Sequence, residues 1–264
     1  MRVYDCFIFH NELDLLEIRL NELNDVVDYF VLVEAEKTHQ NKEKELFFEK
    51  NKNRFSNFLN KIIHVKVPGH LFSDHHALSN EILQRNCILA GIQGATDDDQ
   101  IIVSDVDEIP SKHSVIRAIS LNRTPIIFEQ LLHYYYLNTL LVVDRAVFKN
   151  EDKNYGSVLI TKSMLEKNTE ITRSLEKHNF EVVPNGGWHF SFLGDSENVH
   201  DKLQSYSHSE FNVIEKSTIQ QRIENMQDPL GRSCCSIKIN EDISYLPQYV
   251  LNNLNKFIKY IRVK

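Results

Sequence analysis

Short apolar runs and amphipathic stretches alternate through the first hundred residues. Residues 3–9, 29–33 and 62–67 are apolar runs typical of buried strands. Between the first two runs, leucines recur at spacings of three, four and three residues and predict one apolar face of a helix: Leu13, Leu16, Leu20 and Leu23. The alternation of strand and helix favours an α/β fold built on an open sheet.

A further apolar run, residues 101–104, predicts a central strand that ends at Asp105-Val106-Asp107-Glu108. In an open α/β sheet, ligands bind at the carboxyl ends of the strands. Two carboxylates two residues apart at such an end can turn toward one divalent cation, which in turn neutralises a diphosphate. This motif of two aspartates separated by one residue, DxD, therefore predicts a metal-nucleotide site, although DxD also occurs on solvated surfaces.

The second half of the chain has a different pattern. Short strands are predicted at residues 126–128, 140–143, 158–160 and 182–183. Gly186-Gly187 predicts a turn before the aromatic segment 188–192, and apolar positions from Val250 to Ile261 predict an amphipathic helix. No repeat or linker divides the chain, so residues 1–264 are expected to form a single domain.

The amino-acid composition and the net charge limit the classes of function that this protein can have. The 264 residues include 42% apolar and 25% charged side chains, which is typical of a folded globular protein. The net charge of −7 argues against a nucleic-acid partner. No apolar run is long enough for a transmembrane segment. Cys6, Cys87, Cys234 and Cys235 do not form a disulfide or zinc pattern, which favours a reducing, cytoplasmic location.

Several segments, in their order along the chain, resemble glycosyltransferase family 17. The similar segments are Phe9-His10-Asn11-Glu12-Leu13-Asp14-Leu15-Leu16-Glu17-Ile18-Arg19, Asp25-Val26-Val27-Asp28, Val33-Glu34, Asp105-Val106-Asp107-Glu108-Ile109-Pro110, Gly187-Trp188-His189 and Leu246-Pro247-Gln248-Tyr249-Val250-Leu251. No single motif is decisive, but their order is specific.

This resemblance implies a GT-A-type nucleotide-sugar-binding fold with a mixed central sheet flanked by helices. It also implies a UDP-sugar donor, with UDP-GlcNAc expected, a divalent cation such as Mn²⁺ or Mg²⁺, and inversion at the transferred sugar. Residues 1–110 would form the nucleotide-sugar-binding half, and residues 111–264 the acceptor-binding half with a C-terminal helix. The acceptor does not follow from the resemblance; a glycan, a lipid-linked glycan or a glycoside is expected.

The resemblance also suggests roles for individual residues. Asp105, Asp107 and His189 would be the metal ligands, although a lone histidine beside aromatic residues is often a core group instead. The expected donor-binding residues are Phe9, Asn11, Glu12, Glu34, Arg85, Asn86 and Asp105. For Asn11 and Glu34 capping is the alternative, and for Arg85-Asn86 a solvated helix face.

An inverting transfer needs a carboxylate that takes the proton from the acceptor hydroxyl. Glu108, beside the metal motif, and Asp195 or Glu197, beyond His189, are the candidates, and Glu108 alternatively caps the helix after Pro110.

Two other functions compete with glycosyl transfer. A haloacid-dehalogenase-type, Mg²⁺-dependent phosphohydrolase also carries DxD at a strand end, but Ile109 stands where such enzymes commonly have threonine or valine. A nucleotide-sugar-binding module without turnover is the non-enzymatic alternative, and it would bind UDP without releasing it from UDP-sugars.

Overall fold

The computed structural model describes residues 1–74, 76–143, 154–166, 180–233 and 235–263. Its strands are β1 Val3–Phe9, β2 Tyr29–Ala35, β3 Ile62–Val67, β4 Gln100–Asp105, β5 Glu108–Pro110, β6 Ile126–Tyr134, β7 Thr139–Val143, β8 Asn154–Thr161, β9 Glu181–Ser191 and β10 Cys235–Ile239. Its α-helices are α1 Leu13–Leu23, α2 Phe47–Lys50, α3 Ala77–Asn86, α4 Ile88–Gly91, α5 Lys112–Ser120, α6 Lys162–Glu166, α7 Ser196–Leu203, α8 Lys216–Glu224, α9 Gln248–Asn252 and α10 Leu254–Phe257.

A mixed eight-stranded sheet carries the fold, in the order β3-β2-β1-β4-β8-β6-β9-β5. The first four strands are parallel, β8 is antiparallel to both β4 and β6, β9 is parallel to β6, and β5 is antiparallel to β9. Strands β7 and β10 form a separate antiparallel pair. The predicted α/β class and the mixed sheet with flanking helices are thus confirmed.

Both faces of the sheet are covered. Phe7 and Phe30 face the core that contains the leucine face of α1, whereas Cys6 and Val31 face a second core beneath α4. A Cβ on Gly91 of α4 would lie 2.2 Å from Val31 Cγ1, so this helix lies directly on β2. Burial on both sides explains why β1 and β2 are continuous apolar runs.

Two predictions about local structure are wrong. Gly186 and Gly187 do not form a turn but lie inside the continuous strand β9, where the β6–β9 register shifts between Phe128 and Gln130. A Cβ on Gly187 would lie 2.2 Å from Ile109 O, so the glycine is required by the close approach of β5. The predicted C-terminal helix is divided at Asn253 (φ −127°, ψ 36°), whose side-chain amide donates to Tyr249 O.

Cys6 and Cys87 are free thiols, while Cys234 lies outside the described residues. Among the described helices, none is long and apolar enough to cross a membrane.

Candidate active site

A pocket opens at the carboxyl ends of β1 and β4. Strand β1 is bordered by β2 on one side and β4 on the other, both parallel to it, so the strand order reverses here. Ligand sites of open α/β sheets lie at such reversals. The pocket encloses about 700 Å³, its open mouth included, and Phe9, His10, Asp105, Asp107 and Lys202 are among the residues that line it.

Asp105 is the last residue of β4, and its side chain is 35% exposed. Its Oδ1 lies 2.7 Å from Arg85 Nη2, and the same guanidinium nitrogen lies 3.0 Å from Glu81 Oε1. Burial alone would lower the pKa of Arg85, but Asp105 and Glu81 outweigh that effect and raise it. Arg85 therefore holds Asp105 from behind the pocket, and it is not itself among the lining residues.

Asp107 is nearly buried and is paired with a lysine from the second half of the chain. Its Oδ2 lies 2.6 Å from Lys202 Nζ, and its Oδ1 lies 3.7 Å from His189 Nε2. Burial would lower the pKa of Lys202, but the attraction of Asp107 and of Glu12 outweighs burial and raises that pKa. Lys202 therefore places a positive charge at the acidic motif, where a diphosphate would need one.

Arg19 of α1 fixes the backbone of the acidic turn. It is fully buried and forms a two-pronged ion pair with Asp5 of β1, with nitrogen–oxygen distances of 2.7 and 2.5 Å. Its Nη1 donates to the carbonyl oxygens of Asp105 (2.9 Å) and Glu108 (2.8 Å), and its Nη2 to Ser104 Oγ (2.6 Å). One side chain thus connects α1, β1 and both ends of the turn.

Glu108 pairs with His189 across β5 and β9 and accepts the Asp105 amide on Oε2, at 3.0 Å. Burial is the main cause that raises the pKa of Glu108; the negative charges of Asp105 and Asp107 add to it and His189 opposes it. Glu108 supports the turn from below and does not line this pocket.

The metal prediction can be tested against this geometry. Within the described ranges, no group of three His, Cys, Asp or Glu side chains is assembled for a metal. Asn154 Nδ2 lies 3.1 Å from His189 Nδ1; with the amide as donor, the proton of the neutral ring is on Nε2, which faces Asp107. Asp105 and Asp107 fit a cation that takes its remaining ligands from phosphate oxygens and water, as Mg²⁺ sites commonly do.

The other two predicted catalytic carboxylates, Asp195 and Glu197, do not line this pocket either. Asp195 caps α7, where its Oδ1 accepts the amides of Glu197 (3.0 Å) and Asn198 (3.1 Å). Glu197 is paired with Lys216 of α8 on the surface.

The predicted donor-binding residues lie in different parts of the structure, and only some of them line a pocket. Phe9 lines the first pocket, Asn11 lines a second one, and Glu12 lines both. Glu34 is fully buried: it accepts the Phe48 amide at 2.9 Å and lies 3.0 Å from His64 Nε2. Glu34 thus stabilises the start of α2, and Asn86, at the end of α3, is not a lining residue of either pocket.

The second pocket lies next to the first and encloses about 1040 Å³, its open side included. Its lining is mostly polar, with Asn11, Asp14, Arg54, Asn198, Lys259 and Tyr260 beside Phe190 and Phe192. Glu12 and Lys202 line both pockets and form their common border.

Several lining residues were not predicted from the sequence, above all Lys202, Lys44 and the segment Ser205-Tyr206-Ser207 that follows α7. Burial and the nearby Lys44 lower the pKa of His10 to about 3, so this lining residue is neutral at pH 7. No local pattern marks Lys202 as different from other helix-surface lysines. Its role depends on the docking of α7 against the acidic turn, which no spacing along the chain encodes.

Comparison with known proteins gives a match to the sequence model of glycosyltransferase family 17 over residues 1–261. The rat β-1,4-mannosyl-glycoprotein 4-β-N-acetylglucosaminyltransferase is 28% identical over 128 residues, which are 44% of this chain. The match covers 23% of the rat enzyme, so this chain corresponds to well under two thirds of that relative.

Three solved structures are distantly similar to this chain. Residues 1–349 of TarS from S. aureus align at a TM-score of 0.40 and 11% identity, covering 99% of this chain and 81% of that one. The inositol-1-phosphate CTP transferase from T. maritima gives 0.37 and 11%, covering 100% and 98%. Mannose-6-phosphate isomerase from Helicobacter pylori gives 0.37 and 14%, covering 61% and 71%. TM-scores this low support no inference about this protein.

Proposed function

The chain belongs to glycosyltransferase family 17, and from this premise we propose that it transfers a sugar from a nucleotide-sugar donor to a carbohydrate acceptor. One observation carries the proposal: Asp105, Asp107 and Lys202 line a pocket at the strand-order reversal beside β1. Two carboxylates and an ammonium at that position suit a diphosphate and its counter-ion. The fold proposed for this arrangement is of the GT-A type.

The proposed donor is a UDP-sugar, with UDP-GlcNAc first. The rat relative, whose name specifies N-acetylglucosaminyl transfer, supports this choice of sugar. In the pocket, Lys202 and Lys44 would face the diphosphate, and Phe9 offers an apolar surface beside it. Diphosphate departure would be assisted by Lys202, because an ammonium near the leaving oxygens stabilises the charge that develops there.

Mn²⁺ or Mg²⁺ is proposed as the cofactor, held by Asp105 and Asp107. When bound, such a cation neutralises the charge that accumulates on the departing diphosphate. Lys202 must then share or release Asp107, because its Nζ lies 2.6 Å from that carboxylate. His189 remains the proposed third protein ligand; this role requires the ring proton on Nδ1 and a reversed Asn154 amide.

The phosphohydrolase alternative has less support in this arrangement. Its nucleophile would be Asp105, whose Oδ1 is ion-paired with Arg85 at 2.7 Å. The mechanism proposed instead is inverting: the acceptor oxygen attacks the anomeric carbon from the face opposite the departing UDP.

The experiment is a screen of UDP-GlcNAc, UDP-glucose, UDP-galactose and GDP-mannose for release of the nucleoside diphosphate, with Mn²⁺ and with EDTA. We expect Mn²⁺-dependent release of UDP, fastest from UDP-GlcNAc, and loss of that release in Asp107→Asn. Asp25→Asn, an exposed aspartate paired with Lys112, is the matched control. Full activity in EDTA would refute the metal role, and preference for GDP-mannose would refute the donor. Binding of UDP without release from any donor would identify a non-catalytic binding module.

His189→Ala separates the metal-ligand role from a core role. A ligand lost to alanine should weaken Mn²⁺ affinity while the melting temperature without metal stays nearly unchanged. The core role predicts a loss of metal-free stability of about 1 to 3 kcal/mol. Thermal melts with and without Mn²⁺ and UDP distinguish the two; lowered metal-free stability with a full Mn²⁺ shift would exclude His189 as a ligand.

A further inference from the structure

The second pocket shares its border with the proposed donor pocket. Glu12 and Lys202 line both cavities, and Lys202 is paired with Asp107 in the first one. Since the proposed function places the donor diphosphate beside Lys202, the sugar attached to it would lie near this border. A group that enters the second pocket can therefore approach the anomeric carbon.

The chemistry of the second pocket fits a molecule with many hydroxyl groups. Asn11 and Asn198 provide amides, and Asp14 and Arg54 provide charged acceptors and donors. Phe192 adds an apolar surface. Polar groups placed around apolar surface are what a sugar ring, with hydroxyls at its edge and C–H groups on its faces, requires.

Phe192 also has an unusual backbone. Its φ of 52° lies in the left-handed region, which a bulky residue rarely adopts. Such conformations cost about 1 to 3 kcal/mol and cluster at binding and catalytic sites. The ring is edge-on to Tyr134, with a 5.4 Å centroid distance, and Lys202 Nζ lies 5.5 Å from its centroid. The strained residue thus faces the lysine at the border of the two pockets.

Glu12 is held at this border by one of its two oxygens. Its Oε2 accepts the amides of His10 (3.1 Å) and Asn11 (3.0 Å). Both of the hydrogen bonds that Glu12 accepts from the described parts of the chain end on Oε2, and neither involves Oε1. Lys44 and Lys202 attract the carboxylate electrostatically. The group is therefore oriented by the backbone while one oxygen stays available to an incoming hydroxyl.

We propose that the second pocket binds the carbohydrate acceptor and that Glu12, in place of Glu108, Asp195 or Glu197, is the general base; this inference rests on the proposed function. The acceptor oxygen forms a bond to the anomeric carbon as its proton passes to Glu12 Oε1. The bond between that carbon and the diphosphate oxygen breaks, and its electron pair leaves with UDP. Glu12 then returns the proton to solvent.

Glu12→Gln tests the base. With water as the acceptor, UDP-GlcNAc hydrolysis should fall by about 100-fold or more, because general-base catalysis contributes roughly 10²- to 10⁴-fold. UDP binding measured by calorimetry should stay within about twofold of wild type, since glutamine preserves the shape and the acceptor oxygen for the two amides. Glu43→Gln, an exposed glutamate, should match wild type in both assays.

Several outcomes would overturn the assignment. Hydrolysis at the wild-type rate in Glu12→Gln excludes a base role, and loss of UDP binding with a folded protein assigns Glu12 to the donor. If Glu12→Gln does not fold, Glu12→Asp, which keeps the charge but retracts it, should fold and lose most of the rate; an unchanged rate refutes the base. A wild-type protein that binds no UDP would overturn the proposed function, and this inference with it.

Lys259→Trp tests the acceptor pocket without touching the donor pocket. Lys259 lines only the second cavity of the two, and the neighbouring Ile258 is exposed and lines neither, so Ile258→Trp is the control. The assay measures UDP release with p-nitrophenyl glycosides of mannose, glucose, galactose and GlcNAc. We expect acceleration by at least one glycoside in wild type and Ile258→Trp, and loss of that acceleration in Lys259→Trp. Hydrolysis without acceleration by any glycoside, or acceleration retained in Lys259→Trp, would refute the pocket assignment.

Discussion

Replacing Arg19 by methionine would remove the side chain that holds both ends of the acidic turn. Methionine retains much of the length of arginine but cannot hydrogen-bond to Asp5 or to the carbonyl oxygens of Asp105 and Glu108. Because Arg19 and Asp5 are both fully buried, the substitution leaves a carboxylate without its partner in the core. Water cannot replace the lost contacts unless the structure opens.

The expected loss follows from these contacts. Breaking a buried ion pair by removing one partner costs about 3 to 5 kcal/mol. Each carbonyl oxygen left without a donor adds about 1 kcal/mol or more. We therefore expect Arg19→Met to lower the free energy of unfolding by at least about 4 kcal/mol. The double variant Asp5→Leu, Arg19→Met should recover most of the free energy of unfolding that is lost with the ion pair. It should not recover the free energy that is lost with the hydrogen bonds to the two carbonyl oxygens.

Urea unfolding at pH 7 measures these differences, and the double-mutant cycle with Asp5→Leu isolates the pair. Arg123→Met is the control, because its ion pair with Glu181 is exposed and should contribute less than about 1 kcal/mol. UDP affinity of the folded variant should fall about tenfold or more as the turn loosens. A loss of less than about 1 kcal/mol, or an unchanged UDP affinity, would refute the role given to Arg19.

Three other substitutions test separate features. Gly187→Ala should lower the free energy of unfolding by about 2 kcal/mol or more, because φ at Gly187 is +149° and the new Cβ would lie 2.2 Å from Ile109 O. Gly94→Ala, with open space around the new Cβ, should have little effect. Equal urea midpoints for the two variants would contradict this prediction. Burial lowers the pKa of His133 to about 3, below the 6.5 of a free histidine, so the unfolded state binds the proton first and stability falls as pH drops from 6.5 toward 3. His133→Phe should remove this loss, so the free energy of unfolding of the variant should rise relative to wild type by about 1.4 kcal/mol for each pH unit between pH 6 and pH 4. If the free energies of unfolding of the two proteins run parallel over this pH range, the prediction is refuted. Lys202→Met should weaken UDP binding about tenfold in calorimetry while Lys216→Met does not, and equal affinities would exclude Lys202 from the diphosphate site.

The local sequence determined the elements around the site. Strands β1 and β3 begin and end as predicted, and α1 buries Leu16, Leu20 and Leu23 as its leucine spacing indicates. These features depend on residues that are near each other in the chain, because the spacing of apolar residues predicts which face of a helix or strand is buried. The position of Asp105 at a strand end followed from the same signal.

The glycine pair and the C-terminal segment show where local patterns fail. Gly186-Gly187 has the composition of a turn, yet the backbone of β5 packs so closely there that only glycine fits within a strand. The strand that imposes this requirement ends at Pro110, 77 positions before Gly187, so its effect could not be read from neighbouring residues.

The partners of the acidic residues were decided by tertiary structure alone. Arg85 on α3 meets Asp105, Lys202 on α7 meets Asp107, and Arg19 on α1 holds the turn between them. The chain alone placed carboxylates at a strand end and so indicated what chemistry the site could perform. Which cations face those carboxylates depends on how three helices dock against one sheet edge, because charge pairing acts through space and leaves no periodic trace in the sequence.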